Sequence, residues 1–421
     1  MHRRLFVMPV FVALISCAPS VEGTPPTEPN TNGGQGGQNV ATGQGGQTQT
    51  VGGQAGAASG GSGGSTQGGG AAGSGGVAMP NTGGAAGSVS VTGPKDTRAV
   101  VRASVSGYVL QVERKGADGK TATAPFDMRG ICWSPAVKGG GQPNDAAFAE
   151  WTDKDFALME GANINTVKSY GVLSRQVLDK MLAHGIVAVV TVLVRAGDNY
   201  AAAVNAIKDH PAVLMWLVGN EWNYNNLYGS CNGDGCYDVI NNAAKEIKRL
   251  DPNHPVATSF APRGEIPTAD DLKRLNAIDV WGLNIYSQPG FFGRFSAWKA
   301  LGEETGIKKP FFMSEYGLDA FDEKQGRENQ PGHAQGLRVQ TAEIRAQLSA
   351  RNTNLPCIGG TPFEWSDEWW KSGAPGSQDR GGFPNIGVAM DQFANEEWWG
   401  VVDIDRKPRT AYGVLRDLYG R

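Results

Sequence analysis

Two glutamates stand where a chain of this pattern can do acid–base and nucleophilic chemistry. Glu221 closes the apolar run VLMWLVGNE over 213–221, and Glu315 closes KPFFMSE over 309–315. Each run has the length and composition of a parallel strand covered on both faces. A carboxylate at the far end of such a strand sits at the rim, where α/β folds bind their ligands, and not inside the core. For either residue alone, a solvated strand-end carboxylate is a sufficient account. Two on one rim make a candidate general acid and nucleophile.

The elements that must carry them alternate along the chain. After a hairpin turning at Asp118-Gly119-Lys120, the runs 126–133, 164–170, 187–194, 213–221, 255–260, 280–286, 309–315 and 358–365 read as strands. Between them the spacing predicts a helix with Thr152 as N-cap, Asp155 three residues on and Gly161 as its stop. A second helix over 175–184 is stopped by Gly185 and places Val177, Leu178, Met181 and Leu182 on one face. Further helices are expected over 201–208, 238–250, 269–275, 296–304, 333–351 and 410–419. Eight strand–helix pairs predict an α/β fold, a closed (β/α)8 TIM barrel preceded by a short β-hairpin. An open doubly wound sheet is the rival, but no Gly-rich phosphate turn follows the first strand.

Three segments divide the 421 residues: a signal peptide over 1–17, a flexible linker over 18–95 and the barrel domain over 96–421. Arg3 and Arg4 precede a short apolar stretch, the form of a secretory signal too short to span a bilayer. Leu14-Ile15-Ser16-Cys17 resembles the lipobox of bacterial lipoproteins, which makes Cys17 the expected lipidated residue and membrane anchor. Ordinary cleavage near Ser16 to Ala18, leaving Cys17 without a role, is the other reading. The linker is Gly, Gln, Ser, Thr and Ala, without the apolar surface that would offset its ordering entropy, so disorder is expected. No three-residue glycine period is present, which excludes collagen.

The export signal sets the frame for the remaining features. Net charge is −3 and no Lys/Arg cluster is interleaved with aromatics, which argues against nucleic acid as a partner. Cys231 and Cys236, five apart in an exported protein, are predicted to form a small disulfide loop; a zinc site is the alternative, and no His lies at ligand spacing. Cys132 and Cys357 are either buried free thiols or a second bridge. No second apolar run of spanning length occurs, and a monomer anchored at the cell envelope or outer surface, or otherwise secreted, is expected.

In this register Glu221 ends strand four and Glu315 ends strand seven. Asn220-Glu221 after the fourth strand and Ser314-Glu315-Tyr316-Gly317 after the seventh resemble the clan A retaining glycoside hydrolases. More narrowly, the chain resembles the catalytic barrel of glycoside hydrolase family two and of fungal β-1,3-glucanosyltransferases, from the hairpin to the last helix. The resemblance implies that Glu221 is the acid/base and Glu315 the nucleophile, with carboxyl groups about 5–5.5 Å apart. It implies that Asn220 contacts the sugar 2-hydroxyl, that Tyr286 hydrogen-bonds the nucleophile, and that Trp365 closes strand eight beneath the sugar. Turn, core and packing roles remain the structural alternatives for these three. Burial near Trp222 and repulsion from Glu315 are expected to hold the proton on Glu221.

One position departs from the family pattern. Lys168 stands after strand two where relatives carry arginine, and lysine supplies charge without the rigid two-pronged donor geometry. Trp369, in the cluster Glu364-Trp365-Ser366-Asp367-Glu368-Trp369-Trp370, is expected to wall the substrate, beneath a long loop over 373–395. The implied activity is a retaining β-glycosidase hydrolysing O-glycosidic bonds of an extracellular polysaccharide or oligosaccharide through a covalent glycosyl-enzyme. Its mechanism requires no metal or organic cofactor. A β-glucanosyltransferase on the same site, a non-catalytic glycan-binding barrel and a surface scaffold are the alternatives.

Overall fold

The computed structural model describes residues 99–421 apart from 117, 196, 262–265, 287–289 and 385–389. The expected signal peptide, Cys17 and the linker over 18–95 lie outside the described residues. The domain opens with an antiparallel sheet of β1 (Val100–Ser106), β2 (Val109–Lys115) and β3 (Thr121–Pro125). The β2–β3 pair is the expected hairpin. Sequence patterning missed β1, which folds back on β2 through Gly107 at φ +57°, a left-handed conformation that favours glycine.

The barrel follows as β4 (Met128–Cys132), α1 (Asp145–Gly161), β5 (Thr166–Lys168), α2 (Arg175–Ala183), β6 (Val187–Val192), α3 (Tyr200–Ile207) and β7 (Val213–Asn220). Then come α4 (Trp222–Gly229), α5 (Asp234–Leu250), β8 (Val256–Phe260), α6 (Ala269–Arg274), β9 (Val280–Asn284), α7 (Arg294–Thr305) and β10 (Phe311–Tyr316). A two-stranded ladder, β11 (Phe321–Asp322) with β12 (Arg327–Glu328), leads to α8 (Gln330–Ala346) and the eighth barrel strand, β13 (Cys357–Pro362). A second small ladder, β14 (Phe383–Pro384) with β15 (Phe393–Ala394), lies in the expected long loop, and α9 (Thr410–Tyr419) closes the domain. The eight predicted runs are the eight barrel strands, joined in parallel and closed between β13 and β4. The fold is a (β/α)8 TIM barrel behind an antiparallel sheet.

Two faces of the strands make two cores. Val187, Val189, Leu214, Leu217, Ala257, Phe312 and Ile358 fill the lumen, and Leu110, Val112 and Phe126 of the sheet continue that core below it. The N–H groups of Val100 and Ala103 donate to the carbonyls of Pro211 and Asn253, just ahead of β7 and β8. The sheet therefore caps the N-terminal end of the barrel. On the outer face Val190, Val218, Trp281 and Met313 pack against helix residues such as Phe156, Met181, Ile240 and Trp298.

Several boundaries differ from expectation. Helix α1 starts seven residues before Thr152. Its N-cap is Asn144, whose side chain accepts from the Ala147 N–H, while Thr152 is buried within the helix and donates its hydroxyl to the Phe148 carbonyl. Asp155 serves no cap: its carboxylate accepts from the Trp133 indole at 2.9 Å and pairs with Arg406 at 3.0 Å. Helix α4 begins directly after Glu221 and was not anticipated. Cys231 and Cys236 are joined in a disulfide, whereas Cys132 and Cys357 are buried free thiols and form no second bridge. Among the described residues no helix is long and apolar enough to cross a membrane.

Barrel closure rests on a close approach. Only Gly359 and Gly360 of β13 register with Met128 and Arg129 of β4. Gly359 sits at φ +135°, and a Cβ there would run into the Met128 carbonyl oxygen. Gly359→Ala combines a forced backbone with overpacking at the seam, and should lower stability by about 2–4 kcal/mol in denaturant unfolding.

Candidate active site

Both strand-end glutamates owe their direction to an irregularity. Along β10 the pairing with β9 runs Met313 to Leu283 and then Glu315 to Asn284, so one extra residue is accommodated before Glu315. Along β7 the pairing with β8 passes from Val218–Thr258 to Asn220–Ser259, with Gly219 at φ +70°. Such bulges break the strict two-residue alternation and re-aim the side chains that follow. Glu221 itself is left-handed, φ 52° and ψ 29°.

Glu315 is 1% exposed and receives three donors. Its Oε1 accepts from Lys168 Nζ at 2.6 Å and from the Tyr170 hydroxyl at 2.9 Å, and its Oε2 accepts from the Tyr286 hydroxyl at 2.8 Å. Burial is the largest single influence on Lys168 and works against its charge, but the charge and hydrogen bond of Glu315, together with its other acidic neighbours, hold the ammonium above its ordinary range. Burial and then nearby negative charge push both phenols well above theirs. Both tyrosines are therefore fixed as donors. An anion so surrounded is held as a carboxylate in a fixed orientation, the state an attacking group needs.

Glu221 is buried in a different setting. Its Oε1 accepts from Asn284 Nδ2 at 3.0 Å, a neutral donor. The orientation of that amide is set from behind, because the Ser259 and Ser314 hydroxyls donate to Asn284 Oδ1 at 2.7 and 2.6 Å. Burial, followed by repulsion from Glu315, pushes the Glu221 carboxyl up to about 8. Asn220 lies between the two groups: its Oδ1 accepts from Lys168 Nζ at 3.1 Å and from Asn284 Nδ2 at 3.4 Å. Lys168 thus holds both a carboxylate and an amide.

The aromatic residues sort differently from expectation. Phe363, just past β13, stands edge-on to Tyr170, Tyr286 and Trp399 at ring distances of 6.1, 6.5 and 5.5 Å, and Trp399 meets Tyr286 at 5.0 Å. Trp365 is not in this group. After Pro362 the chain leaves the ladder, and the Trp365 ring turns outward against Tyr412 of α9 at 6.3 Å. Trp222 is also turned away: its indole donates to Thr258 Oγ1 at 2.8 Å on the outer wall, between Tyr237 and Phe260. Trp369 is half-buried, with Lys138 Nζ 5.0 Å above its ring.

Tyr170 and Asn284 were legible in part. Tyr170 lies two residues after Lys168, and Asn284 two residues before Tyr286, so period-two alternation places each on the face of a residue already singled out. Phe363 and Trp399 carried no such signal. Below the carboxylates, the Cys132 thiol donates to the Ser314 and Thr361 carbonyls, and burial pushes it up to about 12, which makes it inert. Among the described residues no group of three or more His, Cys, Asp or Glu is arranged to hold a metal ion.

Comparison with known proteins places this geometry in a class. Residues 136–335, which contain both glutamates, match the sequence profile of Glycosyl hydrolases family 2, TIM barrel domain. A β-glucuronidase from Bifidobacterium dentium, solved with coumarin-3-O-glucuronide, is 18% identical at a TM-score of 0.50, over 76% of this chain and 49% of that one. A β-galacturonidase from Eisenbergiella tayi bound to galacturonate is 16% identical at 0.49, over 74% and 58%. The Dictyoglomus thermophilum β-D-glucuronidase gives 16% and 0.49, over 74% and 57%. The chain thus spans between about half and three-fifths of these proteins' length, and the likeness to the Bifidobacterium dentium enzyme is one of fold. No curated protein matches the sequence. The matched segment and the barrel are similar to those of the clan A glycoside hydrolases, and within them to the catalytic barrel of family 2.

The Lys168–Glu315 pair can be tested directly. Lys168→Met leaves a buried carboxylate without its counter-charge and should destabilise the domain by about 3–5 kcal/mol in denaturant unfolding. Adding Glu315→Gln in the same chain should restore most of that loss, because no uncompensated charge then remains.

Proposed function

We propose that the barrel is a retaining β-glycosidase that hydrolyses O-glycosidic bonds of an extracellular polysaccharide or oligosaccharide through a covalent glycosyl-enzyme. The observation that carries this reading is the unlike setting of the two buried carboxyl groups. Glu315 is held as an anion by an ammonium and two phenols, while Glu221 has a single amide donor and keeps its proton. Pairs of carboxyls whose surroundings push their proton affinities apart divide into acid and nucleophile.

The steps follow from the contacts. Glu221 gives its proton to the glycosidic oxygen as that bond breaks, and a Glu315 oxygen forms the new bond to the anomeric carbon. Esterification removes the charge of Glu315 and with it the smaller of the two main effects, after burial, that raise Glu221. Having given up its proton to the leaving group, the Glu221 carboxylate accepts one from the water that attacks the intermediate. Tyr286 and Tyr170 keep the nucleophile aligned, Asn220 is positioned for the sugar 2-hydroxyl, and Trp369 walls the cleft. Export and attachment through Cys17 belong to the same reading, supported by a disulfide at Cys231–Cys236 of the kind that persists in oxidising compartments.

Two outcomes check the roles. Glu221→Gln and Glu315→Gln should each lower kcat on a β-linked aryl glycoside by about 10²–10⁴-fold, and a 2-deoxy-2-fluoro glycoside should leave a sugar adduct on Glu315 in peptide mass spectrometry. Full activity in either variant would refute the assignment. The alkaline limb of the kcat/KM profile should fall near pH 8, where Glu221 loses its proton. Because folding raises this carboxyl, its protonated form is the one the fold favours: stability is fullest below the ordinary carboxylate range and is lost as pH rises through about 8. That loss should be absent in Glu221→Gln.

A further inference from the structure

A second polar cluster adjoins the catalytic pair on the side of the eighth strand. Lys371 Nζ pairs with Glu396 Oε2 at 3.1 Å and Glu368 Oε2 at 3.4 Å, and the three side chains are 3%, 11% and 2% exposed. The same ammonium lies 5.8 Å above the Phe363 ring, whose neighbours Tyr170 and Tyr286 bind Glu315. Glu396 is close enough for its charge to act on Glu221. Glu364, next to Phe363, is 1% exposed, lies within electrostatic reach of Glu368, Lys371, Cys132 and Glu396, and has no hydrogen-bond partner on either carboxyl oxygen.

Such a carboxyl is costly unless something meets it. Elsewhere on this barrel, buried carboxylates that only hold the fold are met in full: Asp155 by Arg406 and the Trp133 indole, Asp367 by both terminal nitrogens of Arg409. Among the described residues Glu364 has no such partner. Burial raises its carboxyl well above the ordinary range, so near neutral pH it can donate one hydrogen bond and accept others. Both ammonium groups at this rim, Lys168 and Lys371, are already in ion pairs. The wall therefore offers acceptors in excess and negative charge.

We propose that Glu364 and Glu368 are the specificity determinants of the cleaved position, taking hydroxyl or amino donors of the sugar there, and that this wall excludes uronic acids. The inference rests on the glycosidase reading above and narrows its substrate class to neutral or amino sugars. A uronate carboxylate would meet the surplus negative charge of Glu368 and Glu396, since among the described residues the ammonium groups of Lys168 and Lys371 are already paired, and like charges brought together in a desolvated site are strongly repelled. In this respect the chain departs from the solved relatives above that were crystallised with a glucuronide or galacturonate.

The test compares 4-nitrophenyl β-D-glucoside, galactoside, mannoside and glucosaminide with the matching β-glucuronide and β-galacturonide, on the wild-type chain and on Glu364→Leu. We expect kcat/KM for the best neutral or amino sugar to exceed that of the uronide of the same configuration by at least about 100-fold. Glu364→Leu keeps the bulk but removes an unmet polar group, so Tm should hold or rise. Its kcat/KM on the preferred glycoside should fall about 10–100-fold, mostly through KM. A preference for a uronide, or a Glu364→Leu activity within about threefold of wild type, overturns the subsite alone. No turnover of any arm, with no sugar adduct on Glu315, overturns the glycosidase reading and the subsite with it.

Discussion

A carboxylate at the bottom of a dry pocket is affordable only with a counter-charge in contact, and the Lys168–Glu315 pair is the constraint around which this barrel mouth is arranged. Both side chains are almost wholly buried, so neither can turn to water. The remaining valences of the pair are filled by named groups from other strands: Tyr170 from beyond β5, Tyr286 from beyond β9 and Asn220 from β7. Five residues drawn from four strand ends are thereby locked to one another, and the mouth is organised before any substrate arrives. Pre-organised donors of this kind need no rearrangement as charge develops, which is why such sites are effective.

The asymmetry of the two glutamates follows from the same arrangement. All the positive charge has gone to Glu315, and what remains for Glu221 is the amide of Asn284, itself held by two serines on neighbouring strands. The negative side of the ion pair then acts on Glu221 as a repulsive neighbour. Burial is the larger reason that Glu221 keeps its proton; the charge of Glu315 adds to it, and the Asn284 amide and Lys168 oppose it.

The strands were readable because each is an apolar run too short for a helix and bounded by polar or glycine residues, and their order then placed Glu221 and Glu315 at the fourth and seventh ends. Asn220, Lys168 and Tyr286 were singled out through the family resemblance; Lys168 and Tyr286 meet Glu315, and Asn220 meets Lys168. Positions beyond the strand ends were harder, since alternation stops where the ladder stops. Phe363, and not the expected Trp365, stands beside Tyr170 and Tyr286 for that reason, and Trp222 turns outward because the left-handed backbone at Glu221 redirects the chain into α4. The start of α1 was misplaced because Thr152 and Asp155 mimic a capping pattern while serving the interior. Local sequence rules cannot distinguish a polar residue that caps a helix from one that meets a partner 251 positions away.

The sheet across the N-terminal end of the barrel has a consequence for how the domain is held. It seals the lumen with Leu110, Val112 and Phe126 and donates hydrogen bonds to the loops ahead of β7 and β8. The chain enters the domain at β1, on that sealed end, whereas the two glutamates sit at the opposite rim. The described chain therefore begins at the floor of the barrel, and the rim that carries Glu221 and Glu315 is left clear of it.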